Sequence, residues 1–125
     1  DIGLANPSLG PRLKAAIDAS ELVGLPEAVI PMGEIVIEMA LSPKSNTAYS
    51  ALSRVLEDIE KGNIGPIPDV IKISTTTYKY PHEYPNSYVK QQYLPDRIKD
   101  KVYYNPGQNK TEQGYKAYMD NLKKD

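Results

Sequence analysis

The chain has 125 residues, 40% apolar and 25% charged, with a formal net charge of -1 and no cysteine. This length supports one hydrophobic core; near-neutrality argues against a globally basic nucleic-acid binder, and the lack of cysteine excludes disulfides and thiolate metal sites while being compatible with a reducing cytoplasm. No apolar run approaches the roughly 18 residues of a membrane span, no signal peptide is visible, and a chain that starts at Asp1 in ordered-looking sequence reads as a fragment of a longer protein.

A first helix is expected over residues 11–23, with a ragged start at Asn6-Pro7 and Gly10-Pro11, an inner face of Leu13, Ala16, Ile17 and Leu22, and an end at Gly24. A second is expected over 31–41, since Pro31 suits a first turn and Ser42-Pro43 closes it. The run Ile35-Val36-Ile37 is also strand-like. Only Glu34 and Glu38 interrupt this segment's apolar surface, so it should be covered on most sides, within the domain or between subunits. The clearest helix is 46–61: Ser45 is placed to cap it, Ala48, Leu52, Val55, Leu56 and Ile59 form one apolar stripe, and Gly62 ends it. A short turn is expected at Pro68, and a last helix over 111–123, opened by an Asn109/Glu112 capping box and edged by Tyr115, Tyr118 and Leu122.

The two halves differ in character. Residues 1–77 carry a net charge of -4 and residues 78–125 a net of +3, and nine of the ten tyrosines lie at or beyond Tyr78. Pro81, Pro85, Pro95 and Pro106 forbid regular helix or central strand around them. The result is an all-α chain with a long irregular Tyr/Pro-rich segment.

No catalytic constellation emerges. A G-x-x-x-x-G-K-[ST] phosphate loop is absent, and Gly62-Asn63-Ile64-Gly65 runs into Pro66 without the required Lys, so it reads as a helix end and turn. His82 is the single histidine, better explained by packing among Tyr78, Tyr80 and Tyr84 than by metal or acid–base chemistry. Glu34 and Glu38 share a helix face, which suits a solvated stripe or inter-subunit ion pair better than paired catalytic carboxylates. The tyrosines interleaved with Lys79, Lys90, Arg97, Lys99 and Lys101 admit three readings: internal packing, a subunit interface, or a surface that stacks bases and neutralises phosphates.

Several runs carry a family resemblance: D-I-G-L-A-N-P at 1–7, G-L-P-E at 24–27, L-S-P-K-S-N-T-A-Y at 41–49, Y-K-Y-P-H at 78–82, Q-Q-Y-L-P at 91–95 and Tyr103-Tyr104. In this order and spacing the chain resembles the C-terminal region of the RarA/MgsA family of AAA+ ATPases, related to eukaryotic Werner-helicase-interacting proteins. The resemblance spans essentially the whole chain. It implies a single oligomerisation domain of the post-AAA+ type, akin to clamp-loader collars, that forms a homotetramer in a replication-fork maintenance protein. It also implies a cytoplasmic, nucleoid-associated parent with DNA and single-strand-binding protein as partners. ATP and magnesium would be bound in a separate ATPase module, leaving this chain with no cofactor, metal or catalytic residue of its own. One departure is the short passage from Pro68 to Ile73, where family members carry a longer basic stretch. Interface candidates are Ile35, Met39, Tyr49 and Tyr93; nucleic-acid candidates are Lys79, Tyr80, Tyr84, Lys90 and Arg97.

Overall fold

The computed structural model describes residues 1–124, and among them every regular element is helical. Four α-helices, α1 (Leu9–Val23), α2 (Val29–Leu41), α3 (Thr47–Glu60) and α4 (Lys110–Leu122), are joined by segments containing only 3-10 turns, at Gly3–Ala5, Asp69–Ile71, Pro81–Glu83, Pro85–Ser87 and Asp96–Ile98. No helix among the described residues is long and apolar enough to cross a membrane.

Each expected helix is present, with ends displaced by at most two residues. Both α1 and α2 start before their prolines, because Pro11 and Pro31 each occupy the third helical position, where a missing N–H breaks no intrahelical bond. The strand-like run Ile35-Val36-Ile37 is helical: packing of α2 on α1 overrides β propensity. Ser42 leaves the helix in an extended conformation, which the following Pro43 favours. The Lys44 ammonium bonds the Met39 and Ser42 carbonyls, each at 3.0 Å, and so covers the C-terminal end of α2.

The chain forms two compact bodies. The first comprises Asp1–Ala48 with Pro106–Lys116. In it α1 and α2 make an antiparallel hairpin, pinned near its open end by the Arg12–Glu38 ion pair. Asn6 donates to Glu38 at 3.2 Å and to Ser42 at 3.1 Å, which ties the N-terminal Asn6-Pro7 turn to the same end. Ala5, Leu9, Ala28 and Ile35 form this body's buried apolar core. The second comprises Tyr49–Asn105 with the end of the chain from Ala117, and among its described residues Ile98 alone is a buried hydrophobic.

Such small cores leave much surface exposed. Two faces expected to point inward contribute to it. On α1, Leu13 and Ala16 of the expected face are half-buried and Leu9 joins them, but Ile17 and Leu22 are exposed. On α3, the stripe Leu52, Leu56 and Ile59 faces solvent, while Thr47, Ala51, Val55 and the buried Asp58 turn inward. The helical period marked a real apolar stripe there, but Asp58 has the polar partners and takes the interior position.

Candidate interaction surface

Helix α2 places Ile35 in the hairpin core and presents Val29, Ile30, Val36, Ile37 and Leu41 on the opposite side, Val36 and Ile37 being 60% and 61% exposed. Gly33 and Ala40, seven residues apart, lie on the same outward side. Apolar side chains of one helix exposed together in this way mark a surface that needs a cover. A groove of about 510 Å³ between α1 and α2, lined by Leu13, Ile17, Leu25, Met32 and Met39, continues the apolar character on the hairpin's flank. In the second body α3 adds Tyr49, Leu52, Leu56 and Ile59, spaced three, four and three residues apart, with Tyr49 76% exposed.

The Tyr/Pro segment has a different surface. Tyr78, Tyr80, Tyr84 and Tyr93 are between 37% and 53% exposed, so each is partly covered within the chain and partly open to solvent. The Tyr80 and His82 rings meet at 5.0 Å between centroids, tilted by 55°. The Gln91 side-chain amide both donates to the Lys79 carbonyl at 2.8 Å and accepts from the Lys79 N–H at 3.2 Å, and its Nε2 also reaches the Tyr93 hydroxyl at 2.8 Å. That amide acts as a one-residue substitute for a β-ladder and aligns Lys79 with Tyr93. Arg97 donates to the Gly62 carbonyl at 3.3 Å, so one of the basic candidates is tied to the turn that follows α3.

Two buried carboxylates hold these surfaces in place. Glu112, in the first turn of α4, is 0% exposed. Its carboxylate accepts from the Ser45 hydroxyl at 2.7 Å, from the Thr47 hydroxyl, from the Asn109 amide and from the Gly107 backbone. The Glu112 N–H in turn donates to Asn109 Oδ1 at 2.9 Å. Burial alone would raise the Glu112 pKa, but the bonds from Thr47, Ser45, Asn109 and Gly107 outweigh it and hold the carboxyl at about 2. A Cβ on Gly107 would sit 2.7 Å from Glu112 Oε2, and one on Gly3, whose φ is +47°, would sit 2.9 Å from the Ser45 carbonyl oxygen. Glycine is therefore required at both places. The capping box expected at Asn109 is present, but Ser45 differs from expectation: it contacts the Thr47 N–H only at 3.4 Å and directs its hydroxyl to Glu112. The charge of a fully buried carboxylate is a stronger acceptor target than a helix terminus.

Gly3, Ser45, Thr47, Gly107 and Glu112 converge, which brings the D-I-G-L-A and S-P-K-S-N runs into contact. The whole of this region, residues 1–123, matches the family model described as MgsA AAA+ ATPase C terminal. The chain belongs to that family. Replication-associated recombination protein A of Bacillus subtilis (strain 168) is 47% identical over 135 residues, a match covering 99% of this chain and 32% of that protein. The matched span is longer than the chain itself, so the Bacillus protein carries extra residues within it. An uncharacterized AAA domain-containing protein of Mycobacterium tuberculosis is 33% identical, covering 98% of this chain and 29% of that protein. Replication-associated recombination protein A of Haemophilus influenzae is 26% identical over 98% of this chain. The chain thus spans about a third of the length of these curated relatives.

In this MgsA C-terminal domain the second buried carboxylate, Asp58, was not singled out from sequence. It accepts from Lys101 at 2.7 Å, from the Tyr103 hydroxyl at 2.8 Å and from Asn63 at 3.4 Å. Lys101 first, then Tyr103, hold its pKa below the ordinary aspartate value against the effect of burial. Lys101 is thereby committed to a structural ion pair. The remaining sequence candidates for chemistry are dispersed. Glu38 is engaged by Arg12 and Asn6, Glu34 is exposed, and Gly62 is a helix terminator with φ +69°. No group of three or more His, Asp or Glu among the described residues could hold a metal ion. Of the interface candidates, Ile35 is buried, Met39 half-buried, and Tyr49 and Tyr93 exposed; of the nucleic-acid candidates, Lys79, Tyr80, Tyr84, Lys90 and Arg97 are all exposed. Lys90 borders a groove of about 530 Å³ with Tyr88, Leu122 and Lys123.

Proposed function

We propose that this chain is a homo-oligomerisation module of the clamp-loader collar type, which gathers the ATPase portions of a longer replication-associated recombination protein into a homotetramer in the cytoplasm. The observation that carries the reading is the apolar outer side of α2, left exposed by a body whose own core is only four residues. Association removes that surface from water, each buried Val, Ile or Leu side chain contributing about 1.5–3 kcal/mol before ordering costs. Nucleotide and magnesium belong to the portion outside this chain, and no catalytic step is assigned to it. Joining several ATPase heads also raises the effective concentration of weak contacts to DNA and to single-strand-binding protein. Light scattering coupled to size exclusion, over a range of concentrations, tests the reading. A mass near four chains is expected, and a persistent single-chain mass would rule it out for this domain.

A second role in DNA contact is favoured by the four exposed tyrosines flanked by Lys79 and Lys90. Labelled single-stranded DNA should bind the assembled protein at low salt and release steeply as salt rises. Substituting Lys79 and Lys90 together by alanine is expected to reduce the slope of log K against log salt by about 1.4, or about 0.7 for each phosphate no longer neutralised. An unchanged slope would place the DNA-binding surface elsewhere.

A further inference from the structure

We infer that α2 is a two-fold pairing helix: the α2 of a second copy lies antiparallel on its outer side, with Gly33 of one copy opposite Ala40 of the other. This rests on the oligomerisation reading and specifies the contact. Three independent observations lead to it.

The first is Gly33 itself. Glycine inside a helix is unfavourable relative to alanine, and here it sits mid-way along α2 with nothing within 4 Å of where its Cβ would be. The domain's own packing does not use the space. A second backbone approaching closely does, as small residues at helix crossings permit. The second is area. By their fractional exposures Val29, Ile30, Val36, Ile37 and Leu41 offer roughly 500 Å², well over half of the roughly 800 Å² per partner that a standard stable interface needs. Leu22 and Leu25, both exposed at the hairpin's closed end, add to it.

The third is charge. Exposed Glu27 lies just before α2 and exposed Lys44 just after it. A parallel pair would set like charge against like at both ends. An antiparallel pair centred between Val36 and Ile37 brings each Glu27 close to Lys44 of the other copy and opposes the two helix dipoles. The same centre places Gly33 against Ala40 and Val36 against Ile37, so one helix surface serves both copies, as an isologous contact requires.

The absence of native cysteine makes the test direct. Ile37→Cys, near the two-fold, is expected to form a covalent dimer on mild oxidation. Ile30→Cys is not, because antiparallel pairing separates the two Ile30 positions by about 20 Å along the helix axis. Gly33→Leu should keep the far-UV circular dichroism of the parent and lower the light-scattering mass about twofold. Cross-linking at both Ile30→Cys and Ile37→Cys would mean parallel pairing and overturn the inference. An oligomeric parent that cross-links at neither, with Gly33→Leu keeping its mass, would also overturn it while leaving oligomerisation standing. A parent that is monomeric at every concentration would remove both.

Discussion

Glu112→Gln is expected to lower the thermal midpoint by roughly 10 °C, corresponding to about 3 kcal/mol for a chain of this length. The amide keeps the shape but offers one acceptor oxygen where the carboxylate offers two, and it points an N–H at donors from Ser45, Thr47, Asn109 or Gly107. Buried donors without an acceptor are costly, and the substitution leaves at least one. The pH dependence follows from the same geometry. In the folded chain Glu112 titrates at about 2, below its ordinary value of 4.5. A depressed carboxyl pKa contributes stability that is complete above the unfolded value and is lost as pH falls from about 4.5 towards 2. Urea unfolding at pH 7 and pH 3 should therefore show a large acid loss in the parent and a smaller one in Glu112→Gln. A residual slope will remain, because Asp58, Glu57 and Asp69 also have lowered values. Equal acid losses in the two proteins would show that Glu112 is not the source.

Aspartate at both Val36 and Ile37 should separate association from folding. Each parent side chain is already about 60% exposed, so the folded monomer loses little, within about 1 kcal/mol for the pair. At a paired interface the two carboxylates would be buried against apolar groups and against their own symmetry copies, which weakens association by several kcal/mol, a factor of about a thousand or more in Kd. The expected result is a monodisperse particle of lower mass with parent-like helix content and a higher solubility. Parent mass at micromolar concentration would move the interface off α2, and the exposed α3 stripe of Tyr49, Leu52, Leu56 and Ile59 would be the next surface to alter.

Much of this protein follows from one-dimensional pattern. Apolar period, prolines in first turns and glycines past helix ends locate α1 to α4 to within two residues, because these signals act through local backbone geometry. The prolines between 81 and 106 likewise announce a segment with only short turns. The absence of a phosphate loop and of histidine or cysteine clusters is also a property of composition alone. Which way each stripe faces is not local. The stripe of α3 looks like a core stripe by period, yet Asp58 faces inward, because Lys101 and Tyr103, more than forty residues away, supply its hydrogen bonds. Asn109 and Glu112 are legible as a capping box, and Ser45 as a cap. That Ser45 and Thr47 reach across 65 residues and more to the same carboxylate is decided only by folding. The apolar surround of α2 is evident in the sequence; that Ile35 is its inner residue and Gly33, Val36 and Ile37 face outward depends on how α1 packs against it. Periodicity defines a helix's faces but not its rotation about its own axis, and that rotation is set by partners distant in sequence.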